Sequence, residues 1–148
     1  MNEYRTTDRN LALDSVRVSE AAALAAARWM GKGDEQAADQ AAAVAMHEVL
    51  NVLDIDGVVV IGEGDADEAP RLFVGEQLGT GKGPKLDIAL DPLEGTTITA
   101  KGAPNAIACL AMAPRGGFLN VPELYMSKIA VGGGLPSGTI DINDSPAA

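Results

Sequence analysis

Asp91, Glu94, Thr96 and Thr97 sit together in one short stretch, LDIALDPLEGTT over residues 86–97. Two carboxylates and two hydroxyls are thereby gathered on a backbone stiffened by Pro92 and freed by Gly95. Carboxylate oxygens held on rigid backbone suit a hard cation such as Mg²⁺ or Mn²⁺. The same residue types also build an ordinary Asp-Pro turn followed by glycine. A further carboxylate, Glu63, lies between Gly62 and Gly64 in the run IGEGDADEAP over residues 61–70. The two glycines let the chain turn sharply and leave the Glu63 side chain accessible. Asp67 belongs with Glu63, whereas Asp65 and Glu68 read as acids decorating an exposed helix start. Asp34 follows Gly31 and Gly33 at the expected start of a helix. These acids are far apart along the chain, so only the fold brings Asp34, Glu63, Asp91 and Glu94 together. Like charges that close do not all stay ionised without cations. Two divalent metals would resolve the conflict and make a site for phosphate-ester hydrolysis.

The elements that must carry these residues are legible in outline. A period-two pattern at Leu86, Ile88 and Leu90 predicts a strand that ends at Asp91 and Pro92, because proline cannot donate to a ladder. The β-branched run 58–61 predicts a second strand, buried on both faces. Helices are expected over residues 13–30 and 35–53. The first carries Leu13, Val16, Leu24, Ala25 and Trp29 on one face, with an alanine run permitting close approach of a neighbour. The second has Asp34 as N-cap and a stripe of Ala42, Met46, Val49, Leu50 and Leu53. Asp39, His47, Glu48 and Asn51 lie off that stripe, and His47 reads as a solvated helix residue. Residues 72–74 form a short apolar element. Residues 79–85 tempt a phosphate-loop reading but lack the Gly-Lys-Ser/Thr ending and precede a strand, so they read as a turn. Residues 106–112 predict a strand, 114–117 a turn, and 118–119, 128–131 and 139–142 further short strands. Tyr125 is the better placed of the two tyrosines for a ligand contact. No repeat or linker divides the chain, so residues 1–148 are expected to form one domain with no internal boundary.

Composition narrows the classes. The chain has 148 residues, 47% hydrophobic but only 3% aromatic, so its core is expected to rest on alanine-rich helices and β-branched strands. The net charge of −10, from 21 acidic and 11 basic residues, argues against a nucleic-acid surface, which needs clustered Lys and Arg. It does not exclude an anionic substrate, since bound divalent metals invert the local field. Cys109 is the sole cysteine and His47 the sole histidine, which rules out an intrachain disulfide and an ordinary structural zinc site. With no signal-peptide pattern over residues 1–10 and no apolar run long enough for a bilayer, a cytoplasmic protein without membrane partners is expected.

Several motifs carry a resemblance. Gly31 to Asp34, the runs 61–70 and 87–96, Asn105 with Ala106, Phe118 to Asn120, and the stretch from Tyr125 to Gly132 resemble the class II fructose-1,6-bisphosphatase family. The likeness runs from about residue 9 to 142. The DPLEGT element alone marks the wider lithium-sensitive sugar phosphatase superfamily, and the GEG…DEAP run narrows it to class II. The resemblance implies an α/β (α+β) fold, a layered αβαβα sandwich of which this chain covers roughly the first half. It implies hydrolysis of the 1-phosphate of fructose 1,6-bisphosphate with Mn²⁺ or Mg²⁺, in gluconeogenesis. By motif match Asp34, Glu63, Asp91 and Glu94 are the implied metal ligands. Thr96 positions the attacking water, with Asp34 and Asp67 as catalytic partners, and Glu94, Gly95, Thr96 and Tyr125 touch the substrate. Some relatives act on sedoheptulose 1,7-bisphosphate, which stays open.

Members of this family are longer, and the second half, with further basic residues and another acidic ligand, is expected to be absent here. The expected mechanism is direct attack by water without a phosphoenzyme. A truncated, non-catalytic metal-binding relative is the alternative. Either way, association as a homo-oligomer or with a missing second half is expected, because a truncated sheet leaves an open edge.

Overall fold

The structure, a computed structural model, describes residues 6–67, 69–119, 124 and 126–145. It comprises two units, Met1–Phe118 and Leu119–Ala148. The first unit carries all the regular secondary structure among the described residues: helices α1 (Thr6–Ala27), α2 (Glu35–Leu50) and α3 (Thr96–Lys101), and strands β1 (Asp56–Ile61), β2 (Gln77–Leu78), β3 (Lys85–Glu94) and β4 (Ile107–Pro114). The α/β class expected from the sequence is what forms. No helix among the described residues is long and apolar enough to cross a membrane.

The strands make one sheet in the order β2-β1-β3-β4, with β1 and β3 parallel and the outer pairs antiparallel. Leu86, Ile88 and Leu90 of β3 alternate into a core shared with Val59 of β1 and with α1 and α2. Between the helices the contact is built from small residues: Val18, Ala22 and Ala26 of α1 are buried, as are Ala38, Ala42 and Met46 of α2. The alanines give the close approach that the sequence suggested.

Several expectations need correction. The buried face of α1 is not the expected stripe, since Leu13 and Leu24 are 63% and 68% exposed. At 3.6 residues per turn Leu13, Val16 and Leu24 fall on the side of the helix opposite Val18, Ala22 and Ala26, while Trp29 of the expected stripe does pack against the core. Helix α1 ends at Ala27, with the N–H groups of Arg28, Trp29 and Met30 reaching back to the carbonyls three residues before. Helix α2 ends at Leu50, and Val52 and Leu53 close tighter turns of the same kind. Strand β1 is not buried on both faces: Gly57 and Val59 are buried, Val58 and Val60 only half so. Strand β3 does not stop at Asp91. Its pairing with β4 runs through Asp91 opposite Cys109, shifts register, and resumes at Glu94 opposite Ile107. Pro92, which has no N–H, falls within that irregularity, where no ladder bond is asked of it. The apolar element 72–74 is formed by bends and turns.

Residue 118, in the first unit, and residue 119, in the second, form no strand. In the second unit neither 128–131 nor 139–142 forms a strand. Ile129, Val131, Ile140 and Ile142 are exposed. β-Branched residues favour a strand only where a pleated neighbour half-buries them. Local turns are made instead, with Thr139 bonded to the Pro136 carbonyl and Asn143 to the Asp141 carboxylate. Tyr125 and Glu68 lie outside the described residues.

At the end of the sheet where β3 begins, Asp87 is buried at 6% exposure. Its Oδ2 accepts the Gly116 N–H at 2.6 Å. Arg115 Nε stands 3.1 Å from Oδ1, close enough to pair charges but out of hydrogen-bond alignment. The same guanidinium donates to the Asp56 carbonyl at 3.0 Å, so it ties β1, β3 and the turn after β4. Arg115→Ala leaves a buried carboxylate without its counter-charge. A loss of about 2–3 kcal/mol is expected by urea denaturation. Adding Asp87→Asn should recover part of it.

Candidate active site

Three backbone devices position the chemistry-bearing residues. Asp34 is the N-cap of α2, its Oδ1 accepting the Ala37 N–H at 2.9 Å. The turn before it is pinned to α3: the N–H groups of Gly31 and Gly33 donate to the carbonyls of Thr99 and Ala100, both at 2.9 Å. One residue past Asp34, Glu35 accepts the Thr97 hydroxyl at 2.8 Å. The starts of α2 and α3, with Asp34 and Thr96, are thus held side by side. Gly95 takes φ 102 as the N-cap of α3, a backbone that a side chain would strain, and this sharp turn leads from Glu94 into Thr96.

Glu63 stands just beyond β1, its N–H donating to the Leu72 carbonyl at 3.0 Å. The approach is close because Gly62 has no side chain: a Cβ there would sit 2.1 Å from that carbonyl oxygen. Glu63 and Asp39 line a cavity of about 330 Å³ together with Gln36, Gln40 and Arg71.

Glu63, Asp91 and Asp39 lie within electrostatic reach of one another. Burial, and then the charges of Asp39 and Asp91, push the Glu63 carboxyl up to about 7. Burial raises Asp91 to about 6, helped by the hydrogen bond and charge of Glu94 and by the charge of Asp39. The Leu93 N–H, donating to Asp91 Oδ1 at 3.0 Å, opposes that rise. Asp39 is raised by burial. The charges of Asp39 and Asp91 thus reach Glu63, and those of Glu94 and Asp39 reach Asp91. Asp34 stands exposed at its cap, Asp67 is exposed in the turn after Gly64, and Thr96 is half-buried. Among the described residues no group of three His, Cys, Asp or Glu side chains is drawn into metal-holding geometry.

Asp39 and Arg71 were not singled out by sequence reasoning. Asp39 is the one acid in a run, 36–46, otherwise of Gln, Ala, Val and Met, and that isolation on a buried helix was the available signal. Arg71 had none, since its place depends on how the loop after β1 folds back.

The sequence model of the family described as bacterial fructose-1,6-bisphosphatase, glpX-encoded, matches residues 9–148. The chain belongs to this family. Fructose-1,6-bisphosphatase 1 class 2 of Escherichia coli (strain K12) is 54% identical over 135 residues, covering 91% of this chain and 40% of that protein. Fructose-1,6-bisphosphatase class 2 of Haemophilus influenzae is 50% identical over 136 residues, covering 92% of this chain and 40% of its own length. The chain thus spans 40% of the length of these class 2 fructose-1,6-bisphosphatases. All the site residues named above fall within the span matched to the bisphosphatase family.

A carboxyl whose folded pKa is raised binds more protons in the folded than in the unfolded chain between the two values. Glu63, moving from 4.5 to about 7, therefore stabilises the metal-free fold less as pH rises through that window. The melting temperature in EDTA should fall between pH 5 and pH 8. At pH 8, Glu63→Gln should gain on the order of 1 kcal/mol after allowance for solvent screening. A flat melting profile over that range would contradict the crowding of these acids.

Proposed function

We propose that this chain is the metal-binding portion of a fructose-1,6-bisphosphatase that removes the 1-phosphate of fructose 1,6-bisphosphate, a gluconeogenic reaction of the cytoplasm. The observation that supports the reading is a set of half-buried acids: burial, and then the charges of Asp39 and Asp91, lift Glu63 to about 7, and burial, then Glu94 and Asp39, lift Asp91 to about 6. An all-oxygen donor set with an unbalanced negative charge fits a hard divalent cation. Glu63, Asp91, Glu94 and Asp34 would hold Mn²⁺ or Mg²⁺. When bound, such ions supply Lewis acidity toward the phosphate and a nucleophilic water at neutral pH.

The chain's own residues do the rest. Thr96 would direct its hydroxyl at the attacking water, with Asp34 and Asp67 as the acids to take its proton. By the family's motifs Glu94, Gly95, Thr96 and Tyr125 would touch the substrate. Arg71, lining the cavity with Glu63, offers a cation to a phosphate oxygen. Sedoheptulose 1,7-bisphosphate is a second substrate of the same chemistry.

The matched span is 40% of the relatives' length, and residues corresponding to the remainder would add binding energy from the distal phosphate that orients the scissile one. The partner of this span is the portion corresponding to the rest of those relatives, or a second copy of itself. A non-catalytic, metal-binding role for the isolated chain is the competing reading.

Two measurements decide. Mn²⁺ at about one hundred times Kd should stabilise the chain by about 2.7 kcal/mol, and Asp91→Asn should abolish most of that gain. Equal stabilisation of both proteins would remove Asp91 from the ligand set. Phosphate release from fructose 1,6-bisphosphate should be near background for the chain alone and rise when the second-half polypeptide is added. In that active form Thr96→Ala should lower kcat roughly a hundredfold with KM little changed, and Thr96→Ser should keep part of the rate.

A further inference from the structure

Glu63 sits on a loop, residues 62–76, whose far end is tied to β1 by the Gly75 N–H on the Val59 carbonyl and the Val59 N–H on the Glu76 carbonyl, and to which the Glu76 carboxylate adds a side-chain tie. Glu76 Oε2 accepts the Leu72 N–H, and Glu76 Oε1 lies 3.0 Å from His47 Nε2 on α2. Leu72 is the residue whose carbonyl accepts the Glu63 N–H at 3.0 Å. It is fully buried and takes φ 59, a left-handed backbone that is strained for leucine. Something must hold it there, and the carboxylate on its N–H is the group in place to do so. The Asn51 amide nitrogen lies 3.1 Å from His47 Nε2 and 3.3 Å from Nδ1, so Asn51 sits against the ring on the same helix. Both partners are largely shielded, the His47 side chain 27% and the Glu76 side chain 15% exposed.

The geometry points to His47 and Glu76 as positioning residues for Glu63, acting through Leu72. Helix α2 thereby serves the site twice, with Asp34 and Asp39 near its start and His47 near its end. The lone histidine makes no contact with substrate in this reading. It fixes the carboxylate that fixes the strained turn, and the turn fixes Glu63. The link to chemistry rests on the assignment of Glu63 to the catalytic site.

The test uses the full chain with His47→Ala, His47→Gln and each of these combined with Glu63→Gln. Amide hydrogen exchange reads the strut without any metal. In His47→Ala the Glu63 and Leu72 amides should exchange about tenfold faster, while the Ile88 amide in β3 is unchanged. His47→Gln, which keeps a donor at similar reach, should restore most of the protection. Unchanged exchange at Glu63, or equal acceleration at Ile88, overturns the proposal. Mn²⁺ titration followed by electron paramagnetic resonance then reads the consequence. His47→Ala should weaken binding about tenfold beside intact Glu63 and have little further effect in the Glu63→Gln background. Equal weakening in both backgrounds assigns His47 a general structural role and overturns the proposal as well. If the parent chain binds no Mn²⁺, the metal reading of Glu63 fails, and the exchange result alone decides whether His47 and Glu76 hold that residue.

Discussion

Burial of the Glu63, Asp91 and Asp39 carboxyls, with repulsion between neighbouring acids added to it, is the constraint that the arrangement of this chain depends on. Each carboxyl would be easier to solvate alone. The fold nevertheless brings them within reach of one another and half-buries three of them, which is why Glu63 and Asp91 hold protons far above the ordinary carboxylate range. Such an arrangement stands only where the backbone leaves the acids no room to move apart. The rigidity is visible at three of them: Pro92 and the Leu93 N–H at Asp91, Gly95 in left-handed backbone after Glu94, the Leu72 carbonyl against Gly62 at Glu63.

Helix α2 is the common support. Its start is pinned to α3 through the Gly31 and Gly33 amides and the Thr97 hydroxyl, and its middle carries Asp39 at the cavity. Near its end His47 holds Glu76. Its buried side, from Ala38 to Leu50, rests on α1 and the sheet. Packing of alanines therefore does more than fill a core. It seats α2, which carries Asp39, on the same core as β3, which carries Asp91.

The second unit follows a different rule. Among its described residues the apolar ones are exposed and the hydrogen bonds are local turns. The family identity reaches through it, since the match extends to residue 148 while covering 40% of the relatives' length. A sequence can carry the marks of a strand where the pleated surface that would bury it is not supplied by its own neighbours.

What the amino-acid sequence determined by itself was local or motif-borne. The Asp34 cap, the alanine-rich helices, the alternation of Leu86, Ile88 and Leu90 and the DPLEGT elbow are set by residues within a few positions of one another. For that reason they were readable without a structure. The family, too, was legible, because motifs record chemistry even where the fold must bring their parts together. Tertiary structure alone decided the rest. It extended β3 through Pro92, because a register shift opposite β4 tolerates a missing N–H. It turned α1 onto the face of Val18, Ala22 and Ala26, leaving Leu13 and Leu24 exposed. It drew Asp39 in beside Glu63, and it gave His47 a partner 29 residues away. Each of these is a contact between segments distant in the chain, and its free energy depends on burial and on neighbouring charge. Neither quantity is a property of a residue or of its spacing; both exist only once the chain has packed.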